Sequence, residues 1–314
     1  MMVLRSLLFV PGNSMRMITK AATLPVDAII FDLEDAVPLP DKETARVMVR
    51  DSVRAVKATG AHVFVRVNAL LTGLTGDDLK AVGVDGLDGI MLAKAESGSD
   101  VMEASARLED VEKGRRLEVG CIKIIPLVET AKGIINAYEI ASAGERVVGV
   151  GFGAGDYYRD LGRSVASLTP EQTELLYARS QTVVASRAAG VWPLDTVFFG
   201  RLADREGLLK ETLLARQLGF KGKMIIHPTQ IEEVTRVFSP SAEETEESRK
   251  IVAAFEEARS QGLGAISLDG KMIDIMNYQQ AREMVDFVEL IAGREEKRRL
   301  APEVSLLGYF AASR

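Results

Sequence analysis

The feature that most constrains this chain is a repeated one: short apolar runs, rich in β-branched residues, that stop abruptly at an ionisable side chain. Lys123-Ile124-Ile125-Pro126-Leu127-Val128 stops at Glu129, and Val147-Val148-Gly149-Val150-Gly151-Phe152 leads through a glycine-rich turn to Asp156. A strand buried on both faces reads as such a continuous run, and an acid directly after it lies at the strand's C-terminal end. Taken singly, each acid has a plainer reading, Glu129 as a helix cap and Asp156 as part of a glycine turn.

Six further runs of the same kind shift the balance. Strands are expected at 6–10, 28–33, 62–67, 89–92, 122–128, 147–151, 192–198 and 223–226, with helices at 14–23, 41–59, 99–113, 130–143, 170–189 and 204–218. Alternating strands and helices favour a parallel sheet, and eight repeats favour a TIM (β/α)8 barrel. Neither a GxGxxG after the first strand nor a phosphate loop is present, which weakens the case for an open nucleotide-binding sheet. The barrel is expected to fill residues 1–235. Residues 236–314 read as a C-terminal helical extension: an acidic helix at 242–259, an extended or hairpin segment at 261–274, and a helix at 278–292. The final segment, 294–314, begins charged and ends apolar.

Length and charge agree with this. The 314 residues suffice for one large barrel or two ordinary domains, and 47% hydrophobic with 27% charged residues is ordinary for a soluble protein. No segment approaches the roughly 20 apolar residues of a membrane span, so no membrane association is expected. Leu4 to Val10 contains Arg5 and ends in Pro11-Gly12, which reads as a first strand rather than a signal peptide. The lone Cys121 excludes a disulfide framework and favours a reducing, cytoplasmic setting, with the thiol in the core. A net charge of −6 argues against general nucleic-acid binding while leaving room for a local basic pocket.

In such a barrel the strand ends share one mouth, where barrel enzymes place their chemistry. The residues arriving there are Asn13, the cluster Asp32, Glu34 and Asp35, Arg66 with Asn68, Lys94, Glu129, Asp156, Asp195 if its register permits, and His227. Carboxylates converging in a partly dry mouth need a cation or protons. Two histidines and one cysteine leave no soft-metal cluster, so oxygen ligands point to Mg2+ or Mn2+. Glu34 and Asp35 could then hold metal-bound water, or simply end a strand and cap a helix. Arg66 could pair with one of these acids or recognise an oxyanion.

Several stretches, in order, resemble the citrate lyase beta subunit and malyl-CoA lyase family of the HpcH/HpaI aldolase superfamily: Arg5-Ser6-Leu7-Leu8-Phe9-Val10-Pro11-Gly12, Phe31-Asp32-Leu33-Glu34-Asp35-Ala36-Val37, Arg66-Val67-Asn68, Pro126-Leu127-Val128-Glu129-Thr130, Asp156 with Asp160-Leu161-Gly162, and Ile226-His227-Pro228-Thr229-Gln230. Gly270-Lys271-Met272-Ile273-Asp274 extends the match into the C-terminal segment. The resemblance implies a TIM barrel and a Mg2+-dependent lyase. Its substrate would be a 3-hydroxyacyl-CoA such as malyl-CoA, methylmalyl-CoA or citramalyl-CoA, split into acetyl- or acyl-CoA and an oxo acid, or formed from them. It further implies that Glu129 and Asp156 ligate the metal, that Arg66 stabilises the oxyanion, and that Glu34 and Asp35 complete the site. Asp274 would be the acid/base delivered to a neighbouring subunit in a homo-oligomer, a trimer or hexamer, whose extension caps the neighbour's active site. Arg16 and Lys20 would meet the phosphates of coenzyme A; a solvated basic helix face is their alternative reading. Gly155 stands where many relatives carry an acid, so the loop ahead of Asp156 differs. The competing readings are a citrate lyase beta subunit acting on an acyl-carrier-protein thioester, a class II aldolase of free pyruvate, and a non-catalytic assembly subunit.

Overall fold

The computed structural model describes residues 2–169 and 171–300. They form two compact units, Leu4–Phe238 and Ser239–Leu300. In the first, β1 (Ser6–Pro11), β2 (Ala28–Asp32), β3 (His62–Val67), β4 (Gly89–Leu92), β5 (Lys123–Val128), β6 (Gly149–Phe152), β7 (Trp192–Asp195) and β8 (Gly222–Ile225) pair in parallel with their sequence neighbours. β8 returns to β1 through Ser6↔Lys223, Leu7↔Met224 and Leu8↔Ile225, closing the expected barrel. At that seam a side chain on Gly222 would run into the backbone oxygen of Leu4. Only glycine lets the last strand approach the first so closely.

The helices of this unit are α1 (Met15–Ala21), α2 (Lys42–Lys57), α3 (Thr75–Val82), α4 (Gly98–Arg115), α5 (Ala131–Ile135), α6 (Ala137–Ala141), α7 (Ala154–Asp160), α8 (Leu176–Ala188), α9 (Arg205–Leu218) and α10 (Ile231–Phe238). α2 buries Ala45, Val49, Val53 and Val56 at helical spacing, the stripe visible in the sequence. The helix expected at 130–143 breaks at Asn136, whose amide donates to the Glu96 carbonyl at 2.8 Å instead of facing solvent. α8 begins only at Leu176 because Glu174 accepts hydrogen bonds from the Thr169 amide and hydroxyl and holds the preceding turn. Pro170, where that helix was expected to start, lies outside the described residues.

Two sequence-based expectations are corrected. Cys121 is exposed, because β5 starts two residues later and the thiol lies in the turn before it, 3.7 Å from a Glu112 oxygen. β7 ends at Asp195 rather than at 198, and Asp195 does not reach the mouth. Its side chain is fully buried against the helix layer, with Arg179 of α8 donating at 3.0 and 2.9 Å and Lys223 of β8 at 2.8 Å. Lys223 also donates to the Thr196 carbonyl at 2.8 Å and to Glu211 of α9 at 2.5 Å. A carboxylate without a cation would be untenable there, whereas this buried set alternates in sign.

The second unit contains α11 (Ala242–Ser260), an antiparallel hairpin of β9 (Ile266–Leu268) and β10 (Lys271–Ile273), and α12 (Ile275–Arg299). Ser241 and Glu244 form a capping box that starts α11. Asp269 and Gly270, both at positive φ, make the two-residue turn that an Asp-Gly pair favours. Val252 packs with Ala281 and Val285, while Phe255 stacks on Tyr278 with ring centroids 5.0 Å apart. The apolar run at 306–310 and the rest of 301–314 lie outside the described residues.

Candidate active site

The mouth of the barrel encloses a cavity of about 840 Å3 whose lining includes Phe9, Asp32, Asp35, Arg66, Glu129 and Asp156. Asp32, the last residue of β2, is buried and ties the site's first loop together. It accepts from the Glu34 amide at 2.8 Å and the Ala36 amide at 3.1 Å, and Arg66 of β3 clamps it from the side at 2.7 and 2.5 Å. Burial pushes its carboxyl up, but the Arg66 guanidinium and the two amides outweigh this and hold it below the ordinary range. Asp32 is therefore a fixed anion that orients Arg66.

Arg66 has further duties. Its Nη1 lies 3.0 Å from Glu34 and 4.0 Å from Asp35, and the guanidinium stacks 4.9 Å from the centre of the Phe9 ring. Both pairing with acids and presentation to the cavity thus hold at once. The loop that carries Glu34 and Asp35 is pinned from behind by Lys42, whose ammonium donates to the carbonyls of Leu33 and Glu34 at 2.6 and 2.7 Å and to Asn68 at 2.7 Å. Asn68 in turn donates to Asp78 at 2.7 Å and to the Leu33 carbonyl at 3.0 Å.

Glu129 follows β5 and is 3% exposed. It does not cap the next helix: Thr130 does, accepting from the Gly133 amide at 3.0 Å. Instead Glu129 accepts from the Lys94 amide at 2.9 Å. Burial pushes its carboxyl up to about 8; the charges of Glu34 and Asp156 push the same way, and Lys94 and Arg66 oppose them. A methyl group on Gly153 would stand 2.5 Å from Glu129 Oε2, so the glycine before α7 makes room for this side chain.

Asp156 lies in the first turn of α7, not in a glycine turn. It pairs with Arg159 at 2.6 Å and with the Lys94 ammonium at 3.1 Å. At the end of the same helix Asp160 accepts from the Ala131 amide at 2.7 Å, and at its start the Ala154 amide donates to the Thr196 hydroxyl at 3.1 Å. α7 is thereby fastened at both ends to neighbouring strand–helix loops.

Oxygens of Glu34, Asp35 and Asp156 lie within 4.8 Å of one another. Glu129 is outside that set and coupled to it by charge. Glu34 Oε2 is buried and ion-paired with Arg66 Nη1 at 3.0 Å, without a hydrogen bond of good geometry among the described residues. Burial is also the largest influence on the Glu34 carboxyl and raises it despite Arg66 and Lys94. An all-oxygen donor set, acids gathered within one partly buried mouth and a Glu34 carboxyl forced toward its neutral form together fit a hard divalent cation.

Of the remaining residues singled out in the sequence, Arg16 and Lys20 are exposed one helical turn apart on α1. Asp274 belongs to the second unit, where it caps α12 by accepting from the amides of Met276 and Asn277 at 2.9 and 3.1 Å. His227 is half-buried and caps the turn after β8. Lys94 was visible as a strand-end residue without a role, and Arg159 and Thr196 were missed. Arg159 was legible only as an i,i+3 partner of Asp156, which requires knowing that α7 is a helix.

The chain matches the family model of HpcH/HpaI aldolase/citrate lyase over residues 5–228. It is 38% identical over 291 residues to citrate lyase subunit beta of Leuconostoc mesenteroides subsp. cremoris, covering 90% of this chain and 95% of that protein. A (3S)-malyl-CoA thioesterase of Cereibacter sphaeroides is 34% identical over 288 residues, 92% of this chain and 95% of its own. Among solved structures, protein CitE from Mycobacterium tuberculosis in complex with magnesium, acetoacetate and coenzyme A superposes with a TM-score of 0.71 at 32% identity, covering 91% of this chain and 98% of that one.

Proposed function

The chain belongs to the HpcH/HpaI aldolase/citrate lyase family, and on that premise we propose that it is a Mg2+-dependent carbon–carbon lyase of 3-hydroxyacyl thioesters. The observation that carries this reading is the mouth itself: Glu34, Asp35 and Asp156 within 4.8 Å, Glu129 coupled to them, and Arg66 facing the same cavity. Glu129 and Asp156 would hold the ion, with Glu34 and Asp35 behind it. When bound, Mg2+ supplies Lewis-acid polarisation of an oxo or hydroxy acid and neutralises its carboxylate.

The protein's own residues supply the rest. Cleavage requires that a base take the substrate's hydroxyl proton, that the bond to the thioester's α-carbon break toward the thioester, and that this carbon regain a proton. Arg66, fixed in orientation by Asp32, offers its guanidinium to the enolate oxygen as that charge develops. Asp274 of a neighbouring copy would handle the proton, so the active form would be a homo-oligomer, for which the family resemblance suggests a trimer or hexamer. Arg16 and Lys20, on one face of α1, would meet the phosphates of a free coenzyme A thioester. Among the described residues no helix is long and apolar enough to cross a membrane; the cytoplasmic setting we propose follows from the lone-cysteine usage.

The test is a coupled assay of the purified protein on malyl-CoA, methylmalyl-CoA and citramalyl-CoA, with Mg2+ and with a chelator, measuring acyl-CoA, oxo acid and free CoA. Mg2+-dependent cleavage that is lost in Asp156→Ala supports the reading and names the substrate. Failure on every free thioester, with turnover of citryl-acyl carrier protein, would favour the second reading, a citrate lyase beta subunit, which the 38% identity to such a subunit supports.

A further inference from the structure

Lys94 touches three acids at once. Its amide donates to Glu129 Oε1 at 2.9 Å, its ammonium hydrogen-bonds Glu34 Oε1, and the same nitrogen lies 3.1 Å from Asp156 Oδ2. The residue achieves this from a left-handed backbone, φ +52°, which a side-chain-bearing residue adopts rarely and keeps only where its surroundings over-determine it. The contacts to Glu129, Glu34 and Asp156 are that over-determination. Asp156 has a second cationic partner in Arg159, but that side chain is 72% exposed and its charge is screened, whereas Lys94 is 27% exposed.

An ammonium on Asp156 and a divalent ion on Asp156 compete for the same carboxylate, and at contact range their mutual repulsion weakens ion binding. We infer that Lys94 is a positioning residue that sets how tightly this mouth holds its divalent ion: the main chain aims Glu129, and the ammonium competes for Asp156 while staying anchored on Glu34. Metal affinity is thereby held below what the acids alone would give, which favours exchange of ion and product over permanent retention. The inference rests on the metal reading proposed above.

The experiment uses the intact chain without substrate. Mn2+ binding is followed by the electron paramagnetic signal of the free ion, and Mg2+ binding by calorimetry, for the parent protein, Lys94→Met, Lys94→Gly and Lys94→Arg. Lys94→Met and Lys94→Gly are expected to bind either ion about tenfold more tightly, and Lys94→Arg, which keeps the charge, to stay near the parent. Added Mg2+ should also raise the unfolding midpoint of Lys94→Met more than that of the parent. Should methionine at this left-handed position misfold, Lys94→Gly relieves the backbone and retains the test. Unchanged or weaker binding in the uncharged variants, with the parent binding normally, would overturn this inference alone. A parent that binds neither ion would overturn the metal reading and this inference together.

Discussion

Lys223→Met should destabilise the barrel severely even though Lys223 lies outside the mouth. All three donors of its ammonium are used: Asp195 at 2.8 Å, the Thr196 carbonyl at 2.8 Å and Glu211 at 2.5 Å. Methionine matches the length but donates nothing, so Asp195 and Glu211 lose the cation between them inside the helix layer. Removing one partner of a buried, hydrogen-bonded ion pair costs about 3–5 kcal/mol. At roughly 2–4 °C per kcal/mol for a domain of 150–250 residues, the thermal midpoint falls by about 10 °C. Urea unfolding followed by circular dichroism, for Lys223→Met, Asp195→Asn and the double variant, measures both the loss and the coupling. The double variant should lose less than the sum of the singles by about 1–3 kcal/mol. A pH series adds a second check. Burial raises the Asp195 carboxyl, but Lys223 and Arg179 outweigh it and hold it below the ordinary value. A depressed carboxyl contributes stability above its unfolded value near about 4 and loses it as pH falls through the lower folded value. The gap between parent and Lys223→Met should therefore narrow in acid. A loss under about 1 kcal/mol, or strictly additive singles, would refute the account of this network.

Gly153→Ala should push Glu129 out of place, since the new methyl would lie 2.5 Å from its Oε2; Mn2+ affinity is expected to fall several-fold while the unfolding midpoint moves little, and an unchanged affinity would show that Glu129 does not hold the ion. Asp274→Asn keeps a good N-cap for α12 yet cannot exchange a proton, so kcat should drop by about 10²-fold or more with stability intact; parent-like turnover would remove Asp274 from the chemistry. Arg66→Lys loses the two-pronged clamp on Asp32, with an expected fall in kcat/KM of about 10²-fold, read in the same coupled assay. Glu112, whose carboxyl is raised by burial but held down on balance by Arg146 and the amides of Gly120 and Ile122, contributes stability that is present above the ordinary carboxyl range and lost below it; Glu112→Gln should thus destabilise at pH 7 and much less in strong acid.

The barrel was legible because its strands are apolar on both faces and end at charges, a pattern that survives without any knowledge of pairing. The gathering of Asp32, Glu34, Arg66, Glu129 and Asp156 at one mouth was legible for the same reason: they are marked by the apolar runs that carry them. What failed depended on register or on short range. Asp195 follows an apolar run as Glu129 does, but a one-residue difference in register turns it to the helix layer, where Arg179 and Lys223 wait. α7 is seven residues long and follows Gly153, so no periodicity could reveal it, and Arg159 went with it. Lys94's grip on three acids is a matter of one backbone angle, which composition does not encode.

The seam at Gly222 bears on the order in which the chain can fold. Every carboxylate of the mouth is synthesised by residue 156, yet the ring that holds β2, β5 and β6 at fixed spacing is closed only when β8 docks on β1 beside the Leu4 oxygen. Contacts of such separation form late, because most of the intervening chain must be organised first. A ribosome-bound or truncated chain lacking Gly222–Ile225 would carry all of these acids on an open sheet with two free edges, prone to pairing with other chains. Affinity for the ion would then appear as the final event of folding, created by a strand that supplies none of the ligands.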